Sequence, residues 1–223
     1  MFSREMRDGK FIGYRARAHN AEFFFGSKNL SRDELKTYFP DLEFAFLKQV
    51  HGRGVVAADP RQTPEADAHF TSRKNLALVS QTADCVPVLL ASADRVCAIH
   101  SGWRSSALNI VSAAFDATGK FEFAAIGPHI LMPSFEVGAD VAGKLMQAAP
   151  EGTQANQLIY PHADSSKAYF DLTELIRLQL RQAFGEQLIV MEALEDTKTS
   201  IQFASFRRDK DQAGRQFSFV VMK

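Results

Sequence analysis

The chain has 223 residues, nearly half of them apolar and nineteen of them Phe, enough for a core in one large domain or two small ones. Its 26 basic residues balance 26 acidic ones, so it lacks the electrostatic footprint expected of a protein that partners nucleic acid or an anionic membrane. No apolar run approaches the roughly twenty residues that span a bilayer, the charged N-terminus is followed by no secretory h-region, and two cysteines make no disulfide framework for this size. The expectation is a cytoplasmic protein, monomeric or a small homo-oligomer.

Leu42–Val50 reads as a strand, with Phe44, Phe46, Lys48 and Val50 on one face. Leu76–Ser80, Val86–Ala91 and Val96–His100 are short apolar runs suited to buried strands. Ser105–Thr118 switches to helical spacing through Leu108, Val111 and Phe115, with Gly119 as the stop. Phe121–Ile126 reads as a strand and Val137–Ala149 as a helix ended by Pro150. Residues 150–168 are loop-like apart from a short strand at Leu158–Tyr160. Asp171 has the character of an N-cap for an amphipathic helix bearing Leu172, Leu175, Ile176, Gln179 and Ala183, which Gly185 ends. Strands at Leu188–Ala193, Ile201–Phe206 and Gln216–Met222 close the chain. Irregularly inserted helices among many strands give an α+β class with mixed sheets, and no linker divides residues 1–223, so one domain is expected.

Gly52-Arg53-Gly54-Val55-Val56-Ala57 matches the dinucleotide fingerprint, but Pro60 and Pro64 forbid the helix whose N-terminal amides would hold a pyrophosphate. A tight turn into another strand fits better. Three other segments each place a metal-capable side chain at a strand end: KQVHG with His51, QTADCVPVL with Cys85, and CAIHSGWR with His100. Zinc favours imidazole and thiolate, and a catalytic site offers three ligands while leaving one position open. Asp84 is a candidate acceptor for a ligand imidazole. Spacing alone leaves the alternative that each is an ordinary structural His or a small apolar Cys.

KQVHG, ADAHFTS, TADCVPVLL and IHSGWRSSALNIV, followed by IGPHILMPSFEVGADV, KAYFDLTELIRLQL and FASFRRDKDQAGRQFSF, occur in an order that resembles the multicopper polyphenol oxidase (laccase-domain) family, also called the YfiH family, over about residues 42–222. The resemblance implies an α/β/β/α layered sandwich. It implies a metal held by His51, Cys85 and His100, with zinc expected and copper the alternative. It also implies purine nucleoside phosphorylase activity on adenosine, inosine, guanosine or methylthioadenosine with phosphate, with adenosine deamination beside it. Three departures stand out: the family's N-terminal T-R-x-G-G-x-S motif gives way to GKFIGYRARAHN, H-A-G-W-R-G appears as His100-Ser101-Gly102-Trp103-Arg104-Ser105, and a Cys common before the last motif is replaced within Glu195-Asp196-Thr197.

Cys85, His100 and Arg104 are the catalytic candidates. Arg104 leads into a helix expected from Ser105, where amides and a guanidinium would hold phosphate; the plain alternative is a capped helix with a surface arginine. Trp103 either stacks on a base or packs, and Arg207 with Arg208 form either an anion site or a solvated edge. His129 is a candidate polar neighbour of the site, Cys97 a buried apolar residue, His69 a non-ligand, and His19 and His162 surface residues. Rival readings are a cysteine hydrolase with Cys85 as nucleophile and His100 or His51 as base, a copper polyphenol oxidase needing several centres, and a non-catalytic nucleoside-binding protein.

Overall fold

The computed structural model describes residues 1–223. The chain opens with β1 (Ser3–Arg7), β2 (Lys10–Ala18) and β3 (Ala21–Gly26), then α1 (Arg32–Tyr38) and β4 (Glu43–Ala45). Next come β5 (Val55–Ala57), β6 (Ala68–Thr71), β7 (Leu76–Thr82), β8 (Val86–Ala91) and β9 (Val96–Ser101), followed by α2 (Trp103–Ala107) and α3 (Ile110–Thr118). β10 (Phe123–Ile126), β11 (Glu136–Gly138), α4 (Ala139–Gln147), α5 (Ala155–Leu158), β12 (Ile159–Pro161), β13 (Lys167–Phe170) and α6 (Leu172–Phe184) lead to β14 (Ile189–Glu192), α7 (Phe206–Asp209) and β15 (Gln216–Met222).

Two six-stranded sheets, ordered β1-β2-β3-β15-β7-β4 and β14-β10-β8-β9-β6-β5, carry the fold, with a small β11-β13-β12 sheet beside them. Both large sheets are mixed, because β4 runs parallel to β7, β5 to β6 and β14 to β10, while the other neighbours are antiparallel. Side chains of a strand alternate between its two faces, and the alternation here feeds three cores. Leu89 and Ala91 of β8, Ala98 of β9, Phe23 and Phe25 of β3 and Val220 of β15 meet between the sheets. The opposite faces, Val86, Val88 and Leu90 with Cys97 and Ile99, pack against α3 and α6 through Ile110, Val111, Leu175 and Ile176. On the far side, Phe24, Phe217, Phe219 and Val79 pack under Leu35 of α1. The layers are therefore α/β/β/α, as the resemblance implied. No helix is long and apolar enough to cross a membrane.

The helix at 172–184 forms as its sequence dictates. The Asp171 carboxylate accepts from the Glu174 amide at 2.9 Å, and Gly185 ends the last turn at φ 89°. Gln179 sits on the buried stripe because its amide nitrogen donates to the carbonyls of Ser106 and Ala148, both at 3.0 Å.

Several expected elements differ. Only Glu43–Ala45 of the Leu42–Val50 run pairs as a strand. Beyond it the Gln49 side chain donates to the Gln81 carbonyl at 2.7 Å and accepts from the Gln81 amide at 2.8 Å, replacing a strand neighbour so that the backbone turns away. The helix expected over Ser105–Thr118 breaks at Asn109, whose left-handed backbone (φ 51°) and side chain, accepting from the Ser112 amide, start α3 anew. Leu108 is thereby left exposed. Residues 136–138 are strand, and the helix starts at Ala139. Ile201–Phe206 forms no strand: Arg208 donates to the carbonyls of Thr197, Ser200 and Phe203, and the Gln216 side chain accepts from the Ala204 amide. Strands β1, β2, β3, β6 and β13 and helices α1, α5 and α7 were not anticipated, and α5 lies within the run read as loop.

Asp171→Ala is expected to lower the unfolding free energy by about 1 kcal/mol, read as a lower urea midpoint with an unchanged m-value.

Candidate metal centre and its cavity

His51 stands in a turn whose left-handed backbone (φ 59°) is unusual for a non-glycine residue. The turn is held by one carboxylate. Asp67 Oδ1 accepts from the His51 amide at 2.9 Å, and Oδ2 accepts from the amides of Gly52 at 2.6 Å and Val50 at 3.3 Å. Cys85 stands immediately before β8 and follows Asp84, itself at φ 84°. His100 lies on β9 opposite Pro87, is 3% exposed, and its Nδ1–H donates to Asp67 Oδ1 at 2.8 Å. With Nδ1 engaged, Nε2 is the ring nitrogen left for a metal.

One ligand atom from each of His51, Cys85 and His100 lies within 4.8 Å of the others. Cys85 Sγ is 3.9 Å from His51 Nε2, and the two imidazoles meet edge-on with centroids 4.8 Å apart. Tetrahedral zinc ligands stand about 3.4–3.6 Å apart, so a small inward movement of side chains suffices. The wall facing them is glycine, and a Cβ at Gly102 would lie 2.9 Å from His51 Cδ2 and 3.0 Å from Cys85 Sγ, so any larger residue there would displace the ligand side chains. Two imidazole nitrogens, a thiolate and a wall kept clear beside them suit a borderline metal ion.

The site is electrically coupled. Burial alone would raise the Cys85 pKa, but His100 and His51 outweigh it and bring the thiol from 9.0 down to about 6. Burial alone would lower the His100 pKa, but Cys85 and Asp67 raise it to about 9. For Asp67, burial pushes upward and is outweighed by the hydrogen bonds from His100 and the Gly52 and His51 amides, which hold it below the ordinary carboxylate range.

The triad lines a cavity of about 570 Å³. Three arginines, Arg104, Arg207 and Arg215, also line it, and none forms a salt bridge. The lining acid is Asp84, and it is occupied: Oδ1 accepts from Thr197 Oγ1 at 2.7 Å and Oδ2 from the Arg207 amide at 2.6 Å. Among the aromatic walls, the Arg104 guanidinium covers Trp103 at 4.5 Å and that of Arg207 lies over Phe135 at 5.4 Å. Phe206, 48% exposed, has no such cover.

Several sequence-based expectations change here. Asp84 is no acceptor for a ligand imidazole; Asp67 is, because strand pairing puts Ala68 beside Ile99 and so Asp67 beside His100. The helix expected from Ser105 begins at Trp103 and is only five residues long, too short to supply a dipole-based anion site, so Arg104 bears on the cavity through its guanidinium alone. Arg207 and Arg208 separate: Arg207 lines the cavity, whereas Arg208 holds the 197–203 carbonyls. His129 is buried with both ring nitrogens engaged, Nδ1 by the Gly127 carbonyl and Nε2 by Thr173 Oγ1, and is no ligand. His69 is fully enclosed, held neutral by burial with its pKa down at about 3, and lies outside the triad. Cys97 is buried as an apolar residue, its thiol pushed up by burial. His19 is exposed, while His162 is half-buried and lies 3.2 Å from Glu136. Asp67, Arg215, Phe206 and Gln49 were missed. The signal for Asp67 was an acid between two alanines at the start of an apolar strand, where an unpaired charge would be costly.

The chain matches the family described as Multi-copper polyphenol oxidoreductase laccase over residues 27–223. It belongs to that family. A purine nucleoside phosphorylase of Rickettsia conorii is 35% identical over 188 residues, covering 80% of this chain and 76% of the relative. A Neisseria meningitidis protein of the DUF152 family has the same fold, with a TM-score of 0.80 at 27% identity over 94% of this chain and 98% of the other. YlmD from Geobacillus stearothermophilus superposes with a TM-score of 0.86 at 22% identity, covering all of this chain and 98% of its own. The altered N-terminal segment of this laccase-family chain builds β1–β3, and none of residues 1–48 lines the cavity. The triad is the one group of three or more metal-capable side chains gathered in the fold; a multicopper oxidase needs more than one.

Gly102→Ala is expected to weaken zinc binding roughly tenfold or more while far-UV circular dichroism stays unchanged, because its Cβ meets the ends of two ligand side chains and no backbone. In metal-free protein, iodoacetamide is expected to alkylate Cys85 with a rate rising through about pH 6, the pH at which the thiolate forms, and to leave Cys97 untouched. Added zinc is expected to suppress that reaction.

Proposed function

We propose that residues 1–223 act as one catalytic unit, a metal-dependent purine nucleoside phosphorylase with zinc held by His51, Cys85 and His100 and copper as the alternative ion. The observation that carries this reading is the placing of three guanidiniums without a carboxylate partner, Arg104, Arg207 and Arg215, in the same cavity as the triad. Three guanidiniums without a carboxylate partner that converge on one cavity suit a polyanion such as phosphate. The name carried by the Rickettsia conorii relative supports the same activity. Adenosine, inosine, guanosine and methylthioadenosine are the candidate nucleosides, with deamination of adenosine as a side activity.

In phosphorolysis a phosphate oxygen forms a bond to C1′ of the ribose as the C1′–N9 bond breaks. The bonding electron pair leaves with the purine, which takes up a proton, and ribose 1-phosphate remains. The arginines hold phosphate against the sugar and offset its charge, so that attack is effectively intramolecular. The open ring of Phe206 offers a face for the purine. A metal ion at the triad supplies Lewis acidity toward a substrate oxygen or ring nitrogen. Asp67 keeps His100 oriented.

A second reading is favoured by one observation, the Asp67–His100–Cys85 series, which in metal-free protein has the order of an acid, a base and a thiol nucleophile. The two readings separate on metal content, since a stoichiometric ion on Cys85 removes the nucleophile.

Metal-loaded protein is expected to release free base from at least one of the four nucleosides only when phosphate is present; release independent of phosphate, or none, rejects the phosphorylase. Arg104→Ala and Arg207→Ala are each expected to raise the KM for phosphate roughly ten- to hundredfold, with a smaller change in the KM for nucleoside.

A further inference from the structure

We propose that Asp67 is the positioning residue of the metal centre, the single group that holds both the turn carrying His51 and the ring of His100 and sets how tightly the site holds its ion. The inference rests on the metal reading above and concerns what makes that site work.

Asp67 is fully buried, and its one ionic partner is His100. A carboxylate in that position is costly unless its lone pairs are filled. They are filled by four donors. Oδ1 receives His100 Nδ1–H and the His51 amide, and Oδ2 receives the amides of Gly52 and Val50. The main chain adds a fifth link, the His100 amide to the Asp67 carbonyl at 2.7 Å. One side chain therefore performs two tasks that ordinarily fall to separate groups. It holds the left-handed turn that carries His51, and it engages Nδ1 of His100 so that Nε2 is the nitrogen left for the ion. The backbone of His51 and the ring of His100 are held by the same atom, Oδ1.

The arrangement demands a carboxylate. Asparagine has one acceptor oxygen and one NH₂ group that only donates. If its oxygen faces His100 and the His51 amide, its NH₂ opposes the amides of Gly52 and Val50. If it is flipped, the NH₂ opposes His51 N–H and turns the His100 ring to its other tautomer, which takes the lone pair away from the metal. Neither orientation of a side-chain amide satisfies all four partners.

The test compares wild type, Asp67→Asn and Glu22→Gln. Glu22, in β3, is the other deeply buried carboxylate in an ion pair, 1% exposed and 2.6 Å from Arg15 of β2, and serves as a control for lost stability alone. Zinc affinity is measured by chelator competition, and the cobalt(II)-loaded proteins are compared by their thiolate-to-metal and d–d absorption bands. Asp67→Asn is expected to bind zinc roughly 10–100-fold more weakly and to show altered cobalt bands, while Glu22→Gln lowers Tm and keeps wild-type affinity and bands. Wild-type affinity and bands in Asp67→Asn would overturn the proposal, as would an equal loss of affinity in Glu22→Gln. Wild-type protein that binds neither metal would reject the metal reading itself and this proposal with it. If Asp67→Asn does not fold, Asp67→Glu keeps the charge but displaces it by one methylene; weaker zinc binding supports the proposal and unchanged binding overturns it.

Discussion

The candidate site depends on one buried negative charge. Asp67 lies at the start of β6, is enclosed completely, and takes hydrogen bonds from three consecutive amides and one imidazole. Removing a carboxylate from water is tolerable only where such donors replace the solvent. The donors that satisfy Asp67 are the same groups that shape the site. The turn at His51 and the ring of His100 are thus consequences of solvating one charge inside the protein.

A comparable but separate tie operates on the opposite wall. Asp84, beside Cys85, accepts from Thr197 and from the Arg207 amide, which joins the end of the β7–β8 connection to the segment entering α7. That segment is also held by Arg208 through the carbonyls of Thr197, Ser200 and Phe203. Two carboxylates therefore divide the work: one holds the His51 turn and the His100 ring, and the other brings an arginine to the cavity beside the thiol. The paired sheets supply the rigid base, since β8 and β9 carry apolar side chains on both faces and leave little room for their ends to shift. Ligands placed on strand ends and stiff turns are positioned more firmly than ligands on free loops.

The chemistry that such a cavity can support follows from what converges in it. A soft and borderline ligand set stands beside guanidiniums that have no carboxylate of their own, and an uncovered Phe206 ring faces the same space. A metal alone would suit many hydrolases, and arginines alone would suit any anion. Together they suit a substrate that is apolar and aromatic at one end and meets an oxyanion at the other. The family to which the chain belongs carries a name drawn from copper oxidation, yet of six histidines only His51 and His100 join the donor cluster.

The sequence by itself determined the elements with strong local signals and the identity of the metal-capable residues. β8 spans the expected residues, β9 and β15 match within a residue, and the helix from Asp171 to Gly185 has its caps where the chain places them, because capping and alternation are local effects. His51, Cys85 and His100 were legible because each sits in a recognisable segment, and the structure brings them together. Only the tertiary structure decided what surrounds them. Choosing Asp67 over Asp84 as the acceptor for His100 needed the register of β6 against β9, and separating Arg207 from Arg208 needed the path of the segment before α7. The strand that ends early at Ala45 and the helix that breaks at Asn109 were hidden for a related reason: in each, a side-chain amide replaces or redirects backbone hydrogen bonding that the apolar pattern alone implied. Side-chain identity is written in the chain, but the partner each polar group finds depends on which distant strand arrives beside it.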